Sequence, residues 1–294
     1  MKKVLVLLLI IPFCKGPRDL SIHYPAPPPE DSIVSFLPGI VSSGADSIDF
    51  NAAFSPDGQS FYFTRSVNRK WTIYVSHYDG KQWTKAIRAG FNDTVYSMAD
   101  PAFGPDGYLY FISDLPRTAS DTLRDFDIWF VKPLADGRWS APENLLAVNT
   151  DSTEYYVSFS PGGHLYFASS RTGGYGLEDL YISKLVEGKY SQPENLGPKI
   201  NTPYSDHDPC LSQQEDFMIY TSVDRKEGLG EGDLYLARKD ANGQWSEVRS
   251  MGTLFNTSTY EYCSYFSPDF KYFFFSSRRD VKWMRTASLL KIVQ

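Results

Sequence analysis

Phe54-Ser55-Pro56-Asp57-Gly58-Gln59-Ser60-Phe61-Tyr62-Phe63 sets a tight turn between two apolar strands. Proline fixes φ at the second position of a type I turn and glycine ends it, while the flanking aromatics favour extended backbone. The phrase returns as Phe103-Gly104-Pro105-Asp106-Gly107-Tyr108-Leu109-Tyr110-Phe111, as Phe159-Ser160-Pro161-Gly162-Gly163-His164-Leu165-Tyr166-Phe167 and as Phe266-Ser267-Pro268-Asp269-Phe270-Lys271-Tyr272-Phe273-Phe274. A worn copy, Leu211-Ser212-Gln213-Gln214-Glu215-Asp216-Phe217-Met218-Ile219-Tyr220, keeps the pattern without the proline. Aligned on the proline column, the five copies stand at 56, 105, 161, 213 and 268, so the spacings are 49, 56, 52 and 55 residues. A period of this size marks a repeat architecture.

A second motif follows each of the first four hairpins: Ile73-Tyr74, Asp127-Ile128-Trp129, Asp179-Leu180-Tyr181 and Asp233-Leu234-Tyr235. Then come turn dipeptides, Asp79-Gly80, Asp136-Gly137, Glu187-Gly188 and Asn242-Gly243, each leading to Trp or Tyr. Asp-Gly and Asn-Gly are strong hairpin signals. Each unit therefore holds four short strands, a to d, which is the blade of a β-propeller. Runs such as Phe61-Tyr62-Phe63 lack alternation, as strands covered on both faces do.

There are five a–b hairpins but four c–d turns. The sequence predicts the last strand c near Ala287–Val293 and no helix of consequence. Residues 32–41, ahead of the first repeat, then supply the missing strand d, so that an N-terminal strand completes the last blade and no sheet edge is left free. The expected fold is all-β, a propeller of five four-stranded blades over residues 32–294, with six blades as the alternative.

These Ser-Pro-Asp-Gly hairpins, with Leu-Tyr-Phe and Asp-Ile-Trp after them, resemble the WD-like propeller repeats of TolB-type exported bacterial proteins. The resemblance covers residues 32–294 and implies fold more than function. Propellers of this kind bind proteins, bind sugars or stand beside a catalytic domain. The propeller of prolyl-oligopeptidase-type enzymes is similar too, but this chain has no Gly-x-Ser-x-Gly elbow and no room for the hydrolase domain.

The start reads as an address. Met1-Lys2-Lys3 precedes the apolar run Val4–Ile11, too short to span a bilayer and long enough for a signal segment. Ile11-Pro12-Phe13-Cys14 resembles a lipobox, with Phe13 where a small residue is usual, so residues 1–14 are expected to be a leader and Cys14 a lipidation site. Plain secretion is the alternative. Residues 15–31, with Pro17, Pro25, Pro27, Pro28 and Pro29, form a semi-rigid tether. The expected location is the cell envelope, as a periplasmic or outer-membrane lipoprotein, with the membrane met only through the anchor.

Composition narrows the function classes. The 294 residues carry 29 Lys and Arg against 35 Asp and Glu, a net charge of −6, which argues against a nucleic-acid binder. Losing Lys2 and Lys3 with a leader makes the balance two units more acidic. Aromatics at 16% suit packed sheet, and three cysteines exclude a disulfide scaffold.

The site candidates are acids near the start of each strand a. Counting five residues back from its end gives Asp49, Met98, Glu154, Asp206 and Glu261; counting three back gives Asn51, Asp100, Tyr156, Asp208 and Cys263. Converging carboxylates raise pKa values or attract a cation. The ligand-binding candidates are therefore Asp49, Asp100, Glu154, Asp206, Asp208 and Glu261, with calcium as a conceivable occupant of the channel mouth and no catalytic residue or metal ligand assigned. Against this stands the structural alternative, in which each acid ties its loop to the neighbouring blade.

Strand alternation predicts that His207 faces away from Asp206 and Asp208. Asp127, Asp179 and Asp233 are expected to pair with Arg65, Arg171, Arg225 and Arg278. Cys210 and Cys263 are read as buried thiols, with a disulfide as the alternative. Gly228–Gly232 reads as a b–c turn, not a phosphate loop. Trp71, Tyr175 and Trp283 either cover neighbouring blades or stack on sugars. The function expected is a monomeric module binding a protein or glycan of the envelope. A glycoside hydrolase using channel-mouth carboxylates, or a lectin, is the alternative.

Overall fold

The computed structural model describes residues 22–42 and 47–293. The leader, Cys14 and the first part of the tether lie outside the described residues.

Strands fall into five four-stranded antiparallel sheets. Blade 1 holds β2 (Ile48–Phe54), β3 (Ser60–Val67), β4 (Lys70–His77) and β5 (Ile87–Arg88), and blade 2 holds β6 (Met98–Phe103), β7 (Leu109–Ser113), β8 (Asp127–Val131) and β9 (Glu143–Asn144). Blade 3 holds β10 (Glu154–Phe159), β11 (Leu165–Ser169), β12 (Asp179–Ser183) and β15 (Glu194–Asn195), with β13 (Leu185–Val186) and β14 (Lys189–Tyr190) as a small hairpin between its last two strands. Blade 4 holds β16 (Asp206–Leu211), β17 (Phe217–Val223), β18 (Gly232–Lys239) and β19 (Trp245–Ser250). Blade 5 holds β20 (Tyr262–Phe266), β21 (Tyr272–Ser277) and β22 (Asp280–Arg285), and its fourth strand is β1 (Val34–Ser35).

Five blades, closed by the N-terminal strand, are what the repeats predict. Val34 pairs with Trp283 and Ser35 with Lys282. Phe36, fully buried, meets Phe54, Phe61, Phe274 and Trp283 and so joins blade 5 to blade 1. The tether continues the clasp: Tyr24 donates its hydroxyl to Asp269 at 2.6 Å, and Trp83 Nε1 donates to the His23 carbonyl at 2.8 Å.

The expected last strand is corrected. Strand c of blade 5 is Asp280–Arg285, and Thr286–Val293 is a helix, α1. Leu289 and Val293 are one turn apart and buried, packing beside Phe273, Phe275 and Met284. The apolar run that suggested a strand has helical spacing.

The a–b turns are built as their sequence requires. In the first, Gly58 N donates to the Ser55 carbonyl at 2.8 Å with Gly58 at φ +70°, and Ser55 Oγ donates to Asp57 at 2.5 Å. The aromatics fill the space between blades. Trp71 packs against Phe50, Phe126 and Tyr155, and Trp283 is 2% exposed, whereas Tyr175 stands in solvent.

Four asparagines staple blades 1 to 4, one apiece, to the connector that follows each. Asn92, Asn149, Asn201 and Asn256 each accept the N–H and donate to the carbonyl of one residue in strand c, namely Ile73, Ile128, Leu180 and Leu234. A planar amide satisfies both backbone groups at once, leaving neither orphaned.

Candidate functional site

Each innermost strand carries the same irregularity. The register slips within β2, β6, β10, β16 and β20. At each slip one residue is left-handed: Asn51 (φ 65°), Asp100 (53°), Tyr156 (52°), Asp208 (57°) and Cys263 (54°). These are the residues three back from the strand ends. Such bulges re-aim side chains, and left-handed Tyr and Cys are strained enough that packing must hold them.

The bulge divides the predicted residues into two groups. The five-back acids are spent on loops. Glu154 accepts from Thr150 N (2.7 Å), Thr150 Oγ1 (2.8 Å), Ser169 Oγ (2.8 Å) and Arg171 Nη2 (3.0 Å). Asp206 accepts from Thr202 N (2.5 Å), Thr202 Oγ1 (2.8 Å) and Ser222 Oγ (2.5 Å), with Arg225 3.6 Å away. Glu261 accepts from Thr257 N, Thr257 Oγ1, Thr259 Oγ1 and Ser277 Oγ. Asp49 accepts from Arg65 Nε at 2.6 Å and from Ser47. None is more than 1% exposed. Burial pushes Glu154 up while the Thr150, Ser169 and Arg171 donors pull it back.

The arginines thus belong to these acids and not to the strand-c aspartates. Arg65, Arg171 and Arg225 lie over Tyr74, Tyr181 and Tyr235 at 4.8, 4.8 and 4.6 Å. Asp179 instead accepts from Tyr175 N, Gly176 N and Asn195, and Asp233 from Leu229 N. Asp127 is met by a different arginine, Arg117, at 2.9 Å.

The three-back residues meet across the axis and plug it. Tyr156 OH donates to the Ser264 carbonyl at 2.8 Å, from blade 3 to blade 5. Asn51 Nδ2 donates to Asp100 at 3.4 Å, Cys263 Sγ approaches the same oxygen at 3.7 Å, and Cys263 N donates to Asp208 at 2.7 Å. Asp100 and Asp208 are each 1% exposed. Burial, and then the neighbouring Asp208, push Asp100 up to about 8.

His207 joins this knot, against the alternation argument. Its Nδ1 stands 2.9 Å from Asp208 Oδ1, although out of line for a hydrogen bond, and its Nε2 is 2.6 Å from Tyr260 OH. The left-handed turn at Asp208 breaks the alternation. Burial opposes the charged imidazole, but Asp208 outweighs it and holds the His207 pKa above its usual value. Among the described residues no group of three His, Cys, Asp or Glu side chains is arranged to hold a metal ion. Cys210 and Cys263 are free, buried thiols.

Above the plug lies a cavity of about 740 Å³ lined by all five blades. Its rim is the ring of turns at Pro56, Pro105, Pro161, Gln213 and Pro268. Its wall is the last residue of each inner strand, Phe54, Phe103, Phe159, Leu211 and Phe266, with Tyr265 beside them. Its floor includes Asn51, Tyr156 and Ser264. The sequence reading did not single out this wall; the signal was the Phe or Leu recurring at one column just ahead of each turn.

No family model matches the chain, and no curated protein matches it in sequence. Solved structures do match. A thermostable family-43 glycoside hydrolase aligns with a TM-score of 0.52 at 12% identity, over 82% of this chain and 89% of that one. The likeness is one of fold. TolB from Acinetobacter baumannii aligns with a TM-score of 0.49 at 16% identity, over 81% of this chain and 54% of that one, so the chain spans about half the length of TolB. A gluconolactonase from Xanthomonas campestris aligns with a TM-score of 0.47 at 12% identity, over 82% of this chain and 86% of that one.

Proposed function

We propose that the chain is a non-catalytic binding module of the cell envelope that takes the apolar part of an envelope partner into its axial cavity. Export and lipid attachment through Cys14 belong to the same proposal. The observation that supports it is the cavity itself: about 740 Å³, walled by the strand ends of all five blades and closed below by the Tyr156 plug. Ligand sites are of this size, mostly apolar, with a few polar groups that fix orientation. Among the described residues no helix is long and apolar enough to cross a membrane, which leaves the anchor to Cys14 in this reading.

Hydrolysis has less support. It needs one acid and one base or nucleophile facing the sugar, whereas Asp49, Glu154, Asp206 and Glu261 are occupied by loop donors and at most 1% exposed. The test is titration with an environment-sensitive apolar fluorophore. Binding that disappears in Ala102→Trp, a substitution in the cavity wall, supports the reading. Equal binding by both proteins overturns it, and turnover of a glycan panel would replace it with the hydrolase.

A further inference from the structure

Three polar atoms at the cavity lining have no partner. Asn51 is 2% exposed, its Nδ2 is committed to Asp100, and its Oδ1 has no hydrogen-bond partner. Ser264 Oγ, 1% exposed as a residue, and Ser158 Oγ also lack partners, and all three residues line the cavity. The three atoms are themselves sealed from solvent, so a ligand meets the field of their dipoles and not a direct hydrogen bond. Directly beneath are the Asp100 and Asp208 carboxyls, in contact with Asn51 and Cys263. Among the described lining residues the one basic side chain, Lys271, sits at the rim 3.2 Å from Asp269. The floor is therefore polar, with Asp100, Asp208 and the His207 that accompanies Asp208 behind it, and the described lining residues include no unpaired cation. The wall offers aromatic faces, which attract cations.

We propose that the occupant of this cavity is an organic cation: a protonated amine or guanidinium on an apolar or aromatic body, its charge held between the aromatic wall and the acids behind the floor. This deepens the binding reading above and rests on it. A cation at the floor favours the ionised form of Asp100, which burial beside Asp208 otherwise disfavours. A free amine and a lysine or arginine side chain of a protein partner share this chemistry. The acidic balance of the whole chain favours the approach of either.

The experiment compares three probes of one shape on the full chain by calorimetry: 2-phenylethylamine, 2-phenylethanol and 3-phenylpropionate. The expected result is an amine affinity at least tenfold above both others, falling toward that of the alcohol in Asp100→Asn, where asparagine keeps the shape and suits the left-handed backbone. An alcohol or acid that binds as tightly as the amine overturns the cation while leaving the cavity reading intact. No binding by any probe overturns both. A parallel arm with the peptide acetyl-Phe-Lys-Phe-amide distinguishes the sources: a peptide tighter than the free amine assigns the cation to a protein partner, and the reverse assigns it to a small molecule. Should Asp100→Asn fail to fold, Asp208→Asn with the same probes gives the second reading of the acids behind the floor, expected to lower amine affinity several-fold.

Discussion

Arg65 Nε donates to Asp49 Oδ1 at 2.6 Å, and the two residues are direct partners across the first hairpin of blade 1. Arg171 makes the same ion pair with Glu154 and Arg225 approaches Asp206, both from just beyond strand b, where Ser169 and Ser222 are the acids' register partners. In each case the arginine also donates to a connector carbonyl, Val41, Val148 or Ile200. The ion pair is thus a rivet joining strand a, strand b and the connector entering the blade.

The rivet predicts a stability cost with no loss of ligand. Arg171→Ala and Glu154→Gln should each destabilise by about 3 kcal/mol, because each leaves one half of a largely buried ion pair without its counter-charge. The double variant should lose less than the two single losses together. Urea unfolding measures all three, and calorimetry should find cavity binding unchanged in each.

The axial knot predicts a pH dependence of the opposite sign to most carboxylates. Asp100 titrates from 3.8 when unfolded to about 8 when folded, so the native state holds its proton more tightly. Its contribution is full below about pH 4 and is lost as pH rises through about 8. Asp127, pushed up to about 7 chiefly by burial, and His207, held above its usual value, act in the same direction. Melting temperature should therefore fall between pH 5 and pH 8, and Asp100→Asn should flatten that slope. A wild-type melting temperature that rises over this interval would contradict the knot.

Two glycines sit where a neighbouring connector passes. A methyl group on Gly176 would collide with the Tyr204 and Thr202 carbonyl oxygens, and one on Gly230 with those of Thr259 and Thr257. Either Gly→Ala change should cost about 3 kcal/mol, since backbone has to move. Gly243, at φ +76° with open space around it, should cost about 1 kcal/mol on conformational grounds alone. Thermal melts of the three variants test the ordering.

The clasp rests on Phe36. It is fully buried against four aromatic rings from blades 1 and 5. Phe36→Ala should destabilise by about 4 kcal/mol. It should also make residues 22–42 cleavable by protease under native conditions, before the blades themselves are cut.

The propeller was legible in the sequence because turn chemistry is local. Pro56, Gly58 and their counterparts declare each hairpin within ten residues, and the missing fourth strand follows from counting. The chain's end was not legible, because Asp280–Arg285 has no turn dipeptide behind it and the apolar residues after it suit either strand or helix. The asparagine staples were missed although they recur as Phe91-Asn92, Val148-Asn149, Ile200-Asn201 and Phe255-Asn256. Their meaning depends on a backbone about twenty residues away. The acid columns were located correctly along the strands, but register alone decides what they face. Asp49 and Arg65 look unrelated in sequence and are opposite in the sheet. His207 was misplaced because the alternation rule assumes an unbroken strand, and Asp208 breaks it.

The clasp gives the molecule a direction in time. Ser35 and Lys282, whose side chains meet at 2.8 Å, are separated by 247 residues. A ribosome makes Lys282 that many residues after Ser35. Blades 1 to 4 have all their strands as they emerge, but the ring has no way to shut until Arg285 has been made. A chain cut short anywhere before blade 5 carries its first strand with nothing to pair it and Phe36 without the cover of Phe274 and Trp283. Proteolysis can read that as unfinished work, so completion of the ring is recorded where β1 meets β22.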